Sequence, residues 1–181
     1  MRLEALKHLA RVALEMTGPG SDLLVVGSSS LLGSFPELGD ESGPLGASYD
    51  ADVVPRPFSE EIGTMLHEAL GEDRRFHLLH GYCLDVLRPK IGEQFPVGWE
   101  ERLVEVPEFP RVRCLDPHDL AVAKCRTGRE KDLELLQFLA KQRKLDLNQV
   151  EQRLRDTAMT EAQIVKAFRN FGLVRDGVRD C

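Results

Sequence analysis

The sequence lacks the residue patterns that identify several common classes of protein. None of its four cysteines is spaced as CxxC and its five histidines show no HExxH spacing, so a zinc site is not expected. No apolar run approaches the roughly 20 residues that span a bilayer. The charged, amphipathic amino terminus does not resemble a signal peptide. These absences predict a cytoplasmic protein with no membrane segment.

Aromatic residues are also scarce, and acidic residues outnumber basic ones. Aromatic side chains make up 6% of the chain, and the formal net charge is −6 at pH 7. Broad binding of nucleic acid is therefore not expected, because such binding uses clustered lysine and arginine. An RNA substrate held in a local basic groove stays compatible with this composition.

Apolar residues are plentiful, at 42% of 181 positions, which is enough for a real core. That length suits one domain, or one domain with a small helical appendage. Cys83, Cys114 and Cys125 lie in apolar segments and are expected to be reduced core residues. The terminal Cys181 is interpreted as part of a tail, with a reactive thiol as the alternative.

Hydrophobic periodicity separates a mixed amino-terminal part from a helical carboxyl-terminal part. We expect an α/β (α+β) core over residues 1–115, with a small mixed sheet flanked by helices, and a helical region packed on it over residues 116–181. The predicted elements are helices over 1–16, 59–70, 131–141, 147–154 and 160–171, a helix starting at 116, strands over 23–26, 48–54, 76–79, 82–87, 103–106 and 111–115 with a hairpin turn at His80-Gly81, and loops over 36–46 and 89–99.

The first predicted strand ends in Gly27-Ser28. Glycine at this point lets the backbone turn tightly and approach a ligand closely. Backbone amides and the Ser28 hydroxyl can then bind the oxygens of a triphosphate. Because glycine and serine are also common at ordinary turns, this pair alone does not distinguish a phosphate site from a simple strand-to-loop turn.

Two carboxylates lie two residues apart in the next predicted strand. Asp50 and Asp52 point to the same face of a strand and can converge on one point. Adjacent carboxylates repel unless a cation lies between them, and oxygen-rich pairs suit Mg²⁺. The alternative is a strand edge with solvated acids, although apolar neighbours make unpaired charge costly there. Together with the preceding Gly-Ser turn, this pair predicts a metal-dependent nucleotidyltransferase site.

A third acid lies in another apolar run. Asp85 belongs to the predicted strand over residues 82–87. A carboxylate on a neighbouring strand can bind a second metal ion or act as general base for an acceptor hydroxyl. An ordinary acid facing out of a half-buried strand explains the same residue equally well.

The helical part carries a charged cluster at a break between two predicted helices. Lys124 lies in an apolar helical segment and can reach a phosphate as a point charge. Arg129 and Lys131 lie at the break, where a helix amino terminus adds a positive dipole, and Asp132 can cap the helix or orient them. The alternative interpretation is a solvated charged turn.

Three segments of the chain carry a family resemblance. They are VGSSSLLGSFP at 26–36, DADVVP at 50–55, and LDPHDLAVAK at 115–124, which continues through GREKDLE at 128–134. These segments resemble a bacterial group of nucleotidyltransferase-like proteins of poorly defined function, related to the AbiEii-type toxins of toxin–antitoxin systems. The likeness covers residues 20–140, and its last segment is the most specific part.

The resemblance implies the polymerase-β-like nucleotidyltransferase fold. In that superfamily a Gly-Ser pair holds the triphosphate and an Asp-x-Asp pair binds magnesium, while the later Lys and Arg-x-Lys-Asp elements resemble those that hold nucleotide phosphates in the toxin branch. Carried over, this implies nucleotide-binding roles for Gly27, Ser28, Lys124, Arg129, Lys131 and Asp132, and magnesium-binding roles for Asp50 and Asp52. The spacing from Ser28 to Asp50 is longer than is usual in the superfamily, which an inserted loop over residues 36–46 would explain.

The residues and the resemblance together predict a Mg²⁺-dependent transfer of a nucleoside monophosphate from a nucleoside triphosphate to a hydroxyl acceptor. The predicted catalytic and metal-binding residues are Asp50, Asp52 and Asp85. By the toxin analogy the acceptor is a tRNA or a protein, and an antitoxin is a candidate partner. The alternatives are a catalytically inactive binding module of the same fold, such as a nucleotide sensor or toxin–antitoxin subunit, and a protein that binds a partner through the helices over 147–171.

Overall fold

The computed structural model describes residues 1–179, so the interpretation of Cys181 falls outside the described residues. The helices are α1 (Leu3–Thr17), α2 (Glu60–Leu70), α3 (Arg75–His80), α4 (Pro117–Thr127), α5 (Glu130–Lys141), α6 (Leu147–Arg155) and α7 (Glu161–Arg179). The strands are β1 (Asp22–Val25), β2 (Asp50–Arg56), β3 (Cys83–Val86), β4 (Val104–Val106) and β5 (Phe109–Cys114). Short 3₁₀ helices cover Ser28–Gly33, Pro36–Gly39, Pro89–Gln94 and Trp99–Arg102.

The chain divides into two compact units. The first unit comprises Met1–Ile91 with Arg102–Asp116, and the second comprises Gly92–Glu101 with the chain from Pro117 onward. All the strands named above lie in the first unit, and α4 to α7 lie in the second.

The first unit is built on a five-stranded sheet of order β3-β2-β1-β5-β4. β1 pairs antiparallel with β2 and parallel with β5, β2 pairs parallel with β3, and β4 pairs antiparallel with β5. The predicted α/β class, with a small mixed sheet flanked by helices and a helical carboxyl-terminal region, is confirmed. The arrangement is consistent with a nucleotidyltransferase-like fold.

The central strand and its neighbour differ in how their side chains are buried. Residues 23–25 of β1 are each exposed by 2% or less, which matches the continuous apolar sequence expected of a strand covered on both faces. At the start of β2 the side chains alternate instead, with Ala51 and Val53 buried and Asp50 and Asp52 on the other face. The acids therefore lie on a face that is open at this end of the strand.

The helices of the first unit begin and end at residues suited to those positions. α1 presents its apolar residues at helical spacing and buries Leu6, Leu9, Ala10, Ala13 and Leu14. The helix ends at Gly18, whose φ of 83° favours glycine. At the start of α2 the Ser59 hydroxyl accepts a hydrogen bond of 3.1 Å from the backbone N–H of Ile62. The predicted start of this helix at Ser59 is confirmed.

The segment before β3 differs from its prediction. Residues 76–79 form part of α3, so the predicted strand and its hairpin at His80-Gly81 are wrong. A short apolar run is compatible with either a helix or a strand, and here Gly81 ends the helix with a left-handed φ of 77°. The helix places His77 and His80 three positions apart on one side, whereas a strand would have put them on opposite faces.

Aromatic rings pack against α3. His80 lies with its ring centroid 4.5 Å from that of Phe76 and 4.9 Å from that of His8. His77 stacks on Tyr49 at 5.5 Å, and the Tyr49 hydroxyl donates a hydrogen bond of 3.0 Å to Glu72. These contacts hold α3 beside the start of β2.

In the second unit, α4 lies against α5, α6 and α7. The predicted helices over 131–141 and 147–154 are confirmed, and α7 continues to Arg179, beyond the predicted end at residue 171. The predicted loop over 89–99 contains 3₁₀ turns. Within it, the Trp99 ring lies edge-on to Phe95 at 5.0 Å, as expected of a side chain that anchors a loop.

The cysteines behave as the apolar pattern predicts. Cys83, Cys114 and Cys125 are buried and form no disulfide. Among residues 1–179, no helix has the length and apolar character needed to cross a bilayer.

Candidate active site

The turn after β1 is in contact with the start of β2. The backbone N–H of Val26 donates a hydrogen bond of 3.0 Å to the carbonyl of Asp52, and the N–H of Ser30 donates one of 2.9 Å to the carbonyl of Gly27. Gly27 thus precedes the 3₁₀ helix Ser28–Gly33 directly. The predicted proximity of the Gly-Ser turn and the Asp-x-Asp strand is present in the structure.

Gly27 is required here for space. Its φ of −84° is ordinary for any residue. A Cβ atom at this position would overlap the Asp52 carboxylate, whose Cγ would lie 2.6 Å away. The carboxylate of Asp52 therefore rests against the Gly27 backbone, which brings the predicted phosphate-binding turn and a predicted metal ligand together.

The sheet register puts all three predicted carboxylates on one face. Asp50 and Asp52 are i and i+2 on β2, and Asp52 pairs with Asp85 on the parallel neighbour β3. Asp50 and Asp85 are exposed, and Asp52 is half-buried. Asp50 also accepts a hydrogen bond of 3.2 Å from the Ser48 hydroxyl. The first unit thus carries a strip of acids at the edge of the sheet where β1 ends.

These acids are a candidate magnesium site. Carboxylate oxygens are the ligands that Mg²⁺ prefers, and the strand register fits such a site. Within residues 1–179, however, no three His, Cys, Asp or Glu side chains are grouped closely enough to hold a metal ion. The donor chemistry and the backbone placement fit magnesium, whereas the side chains are not gathered around one point. The magnesium site stays a prediction.

The acids lie near the buried thiol of Cys83. Cys83 pairs in register with Asp50. Burial first, and then the negative charges of Asp50, Glu72 and Asp85, raise the pKa of the Cys83 thiol to about 11. This end of β2 and β3 is therefore a region of negative potential, which favours a cation.

The two serines that follow Ser28 were not among the predicted site residues. Ser29 and Ser30 are exposed by 3% and 0%, and their hydroxyl oxygens have no hydrogen-bond partner. Buried polar groups are nearly always paired, so two in succession are unusual. The sequence feature that could have indicated them is the run of serines directly before the apolar pair Leu31-Leu32. This run places the hydroxyls on a short helix that packs inward.

Buried side chains hold the connection from Ser28 to Asp50 in place. It contains the 3₁₀ helix Pro36–Gly39 within the predicted loop. Leu38 and Leu45 are each exposed by 3%, and the N–H of Leu45 donates a hydrogen bond of 3.0 Å to the carbonyl of Leu38. Leu38 and Leu45 thus anchor this segment in the core of the first unit.

The predicted basic cluster lies in the second unit. Lys124 on α4 forms a buried ion pair with Asp132 on α5. Asp132 also accepts a hydrogen bond of 2.7 Å from Arg129 Nε. Lys131 is exposed. The phosphate-binding roles of these residues stay predictions.

Asn170 on α7 completes the same turn and was missed by the sequence analysis. Its side-chain amide donates a hydrogen bond of 2.8 Å to the carbonyl of Cys125. Gly128 has a φ of 67°, and a Cβ atom there would lie 2.9 Å from Asn170 Cγ. The sequence feature that could have indicated Asn170 is a polar residue between Ala167 and Phe171, on the buried face of a helix.

Comparison with known proteins identifies a family. The model of the family DUF6036, described as "Nucleotidyltransferase of unknown function", matches residues 1–176, which is nearly the whole chain. No curated protein and no solved structure shows a significant match.

Proposed function

Because the chain belongs to the DUF6036 family of nucleotidyltransferases of unknown function, we propose that it transfers a nucleoside monophosphate from a nucleoside triphosphate to a hydroxyl acceptor. The observation that carries this proposal is the contact between the Asp52 carboxylate and Gly27. It joins an acidic strand to a turn whose backbone a phosphate chain can approach.

In the proposed reaction, each of the site residues in the first unit has a separate role. Asp50 and Asp52 would hold Mg²⁺, which when bound supplies positive charge to the phosphates. Asp85 would accept the proton of the acceptor hydroxyl. The acceptor oxygen then bonds to the α-phosphorus, and the bond from that phosphorus to the bridging oxygen breaks. Pyrophosphate leaves with the electron pair, while Gly27 and Ser28 bind its oxygens.

The basic residues of the second unit are proposed as phosphate-binding residues. They are Lys124, Arg129 and Lys131, with Asp132 beside them. The proposed acceptor is a tRNA or a protein, by analogy with the AbiEii-type toxins, and an antitoxin is the proposed partner. The chain's net charge of −6 favours a small acceptor contact over a broad nucleic-acid surface.

A second function is favoured by one specific observation. The carboxylates of the first unit are not gathered into a metal-binding group within residues 1–179. A protein that keeps the fold and binds a nucleotide without transferring it requires no such group. This alternative is a nucleotide-binding module or a toxin–antitoxin subunit.

The deciding experiment measures transfer of label from α-³²P-labelled ATP, CTP, GTP and UTP, with Mg²⁺ or Mn²⁺ and with total tRNA or the protein itself as acceptor. Asp52→Asn and Asp50→Asn remove charge at the proposed site with little change in shape. Asp40→Asn is the matched control, because this exposed carboxylate lies in the same unit outside the acidic strip.

Label that appears with the wild type and with Asp40→Asn, and is lost in the other two variants, supports transfer. Absence of label, with nucleotide binding seen by calorimetry, supports the binding module. Absence of both label and binding, from folded protein, overturns the two proposals together.

A further inference from the structure

Three charged residues at the α4–α5 turn have unequal access to a ligand. Lys124 and Asp132 have side-chain exposures of only 6% and 3%, whereas Arg129 is exposed by 64%. A residue that binds an incoming anion must reach it. Of these three residues, only Arg129 is exposed enough to contact a ligand directly.

Asp132 is held from two sides. One carboxylate oxygen accepts from Lys124 Nζ, and the other accepts a hydrogen bond of 2.7 Å from Arg129 Nε. Burial alone raises the pKa of Asp132, but the hydrogen bonds and charges of Lys124 and Arg129 outweigh it, so the pKa lies below its usual value. Asp132 is accordingly an anion that fixes the Arg129 side chain.

Arg129 keeps its two terminal nitrogens for another partner. Among residues 1–179, the hydrogen bonds and ion pairs of its guanidinium use only Nε. The two Nη groups form the fork that binds two oxygens of a phosphate at once. An arginine held at Nε and open at Nη is already oriented for that contact, so less side-chain freedom is lost on binding.

The charges of the cluster explain why Lys124 is needed. Arg129 with Asp132 alone would be neutral and would attract a phosphate weakly. Lys124 adds one positive charge, so the three residues together carry +1 − 1 + 1 = +1. Lys124 therefore restores the attraction without exposing its own amine.

The backbone of the turn is fixed independently. Gly128 adopts the left-handed conformation and lies against Asn170, whose amide is bonded to the carbonyl of Cys125. The N–H of Gly128 also donates a hydrogen bond of 2.8 Å to the carbonyl of Lys124. Arg129 is the next residue after Gly128, so its backbone position is set by this turn.

From this geometry we infer that Arg129 makes the direct phosphate contact at the α4–α5 turn, that Asp132 is its positioning residue, and that Lys124, counted above among the proposed phosphate-binding residues, acts by neutralising the charge of the buried Asp132. The ligand is a polyphosphate chain, and its identification as that of a nucleoside triphosphate rests on the proposed function. The inference deepens that function by assigning separate roles to residues that the family resemblance treats alike.

The test is calorimetric binding of inorganic triphosphate to the full chain at low salt. Arg129→Gln is expected to weaken binding by about tenfold or more, because it removes the guanidinium fork that Asp132 orients, and Arg129→Lys recovers part of the affinity as a point charge. Lys141→Gln is the matched control, because it removes one exposed positive charge from the other end of α5.

Two double variants separate positioning from direct binding. Lys124→Met/Asp132→Asn and Lys124→Met/Asp132→Leu both remove the buried ion pair while keeping the net charge, and only the first leaves an acceptor for Arg129 Nε. Replacement of a buried ion pair by neutral groups is often tolerated. We expect the Asn variant to stay within about fivefold of wild type and the Leu variant to bind several-fold more weakly at matched thermal stability.

Three results overturn the inference. They are unchanged binding by Arg129→Gln, a loss of tenfold or more in the folded Asn double variant, and no binding of triphosphate by the wild type at millimolar concentration. Inorganic triphosphate has no nucleoside monophosphate to transfer. A failure of label transfer with intact triphosphate binding would therefore overturn the proposed function and leave this inference standing.

Discussion

The carboxylate of Asp52 occupies the space in which a side chain at Gly27 would begin. The contact links the end of β1 to the third residue of β2, and the hydrogen bond from Val26 to the Asp52 carbonyl holds the two backbones together. Glycine is needed at this position for close approach, since its backbone angles are ordinary.

Replacement of Gly27 by alanine tests this contact. The new methyl group would overlap the Asp52 carboxylate and force it away from the turn. We expect nucleotide binding to weaken by at least tenfold, measured by calorimetry, and the free energy of unfolding to fall by about 1–3 kcal/mol, measured by urea denaturation.

Gly172→Ala is the control for that substitution. No atom lies within 4 Å of a Cβ at this position, which is inside α7. Alanine is expected to raise the free energy of unfolding by about 0.5–1 kcal/mol because it favours the helix. If Gly27→Ala bound nucleotide as well as Gly172→Ala does, the contact would have no functional meaning.

Removal of a buried hydroxyl at Ser29 or Ser30 is expected to stabilise the protein. Neither hydroxyl oxygen has a hydrogen-bond partner, and an unpaired buried polar group is costly. Ser30→Ala should raise the free energy of unfolding by about 1 kcal/mol in urea. A loss of stability of similar size would show that the hydroxyl is bonded in solution.

The Asp119–Arg153 ion pair is expected to be a major support of the second unit. Asp119 is fully buried and accepts a hydrogen bond of 2.8 Å from Arg153. Asp119→Ala leaves a charged guanidinium without this partner and should cost about 3–5 kcal/mol of unfolding free energy. Glu151→Ala breaks the more exposed pair with Arg155 and should cost no more than about 0.5 kcal/mol. Equal losses would contradict the assignment.

The buried thiols make stability sensitive to alkaline pH. Burial raises the pKa of Cys114 and of Cys125 to about 12, from a usual value of 9.0. Because the folded pKa is the higher one, the stabilisation is complete below pH 9 and declines as the pH rises towards 12. Each thiol should then remove about 1.4 kcal/mol of unfolding free energy per pH unit above pH 9.

A thiol reagent checks the same feature directly. In a Cys181→Ser variant at pH 8, we expect none of Cys83, Cys114 and Cys125 to react while the protein is folded. All three should react after unfolding in urea. Rapid labelling of the folded protein would show that at least one of these thiols is accessible.

The sequence predicted the parts of the fold that depend on local patterns. The apolar run over residues 23–26 and the alternation around Asp50 each identify one strand without reference to the rest of the chain. The strand predicted over 76–79 was wrong because four residues fit either a helix or a strand. The residues that contact this segment, His8 and Tyr49, are distant in sequence, so a local pattern does not indicate these contacts.

The sequence indicated which residues belong to the candidate site better than it indicated which of them contact one another. Asp50 and Asp52 share a face because side chains alternate along any strand. The pairing of Asp85 with Asp52 depends on strand register, which the sequence does not specify. The burial of Lys124 depends on the packing of α4 against three other helices, so its pairing with Asp132 became visible only in three dimensions.

The antiparallel pairing of β1 and β2 has a consequence for how this chain can vary. β1 ends and β2 begins at the same edge of the sheet, so the connection between them leaves and returns to one place. The number of residues in that connection does not set the distance between Gly27 and Asp52, which the backbone hydrogen bond fixes. Segments can therefore be gained or lost between the Gly-Ser turn and the acidic strand while the contact at its base persists. The long spacing between Ser28 and Asp50 is therefore compatible with an intact contact between the Gly-Ser turn and the acidic strand.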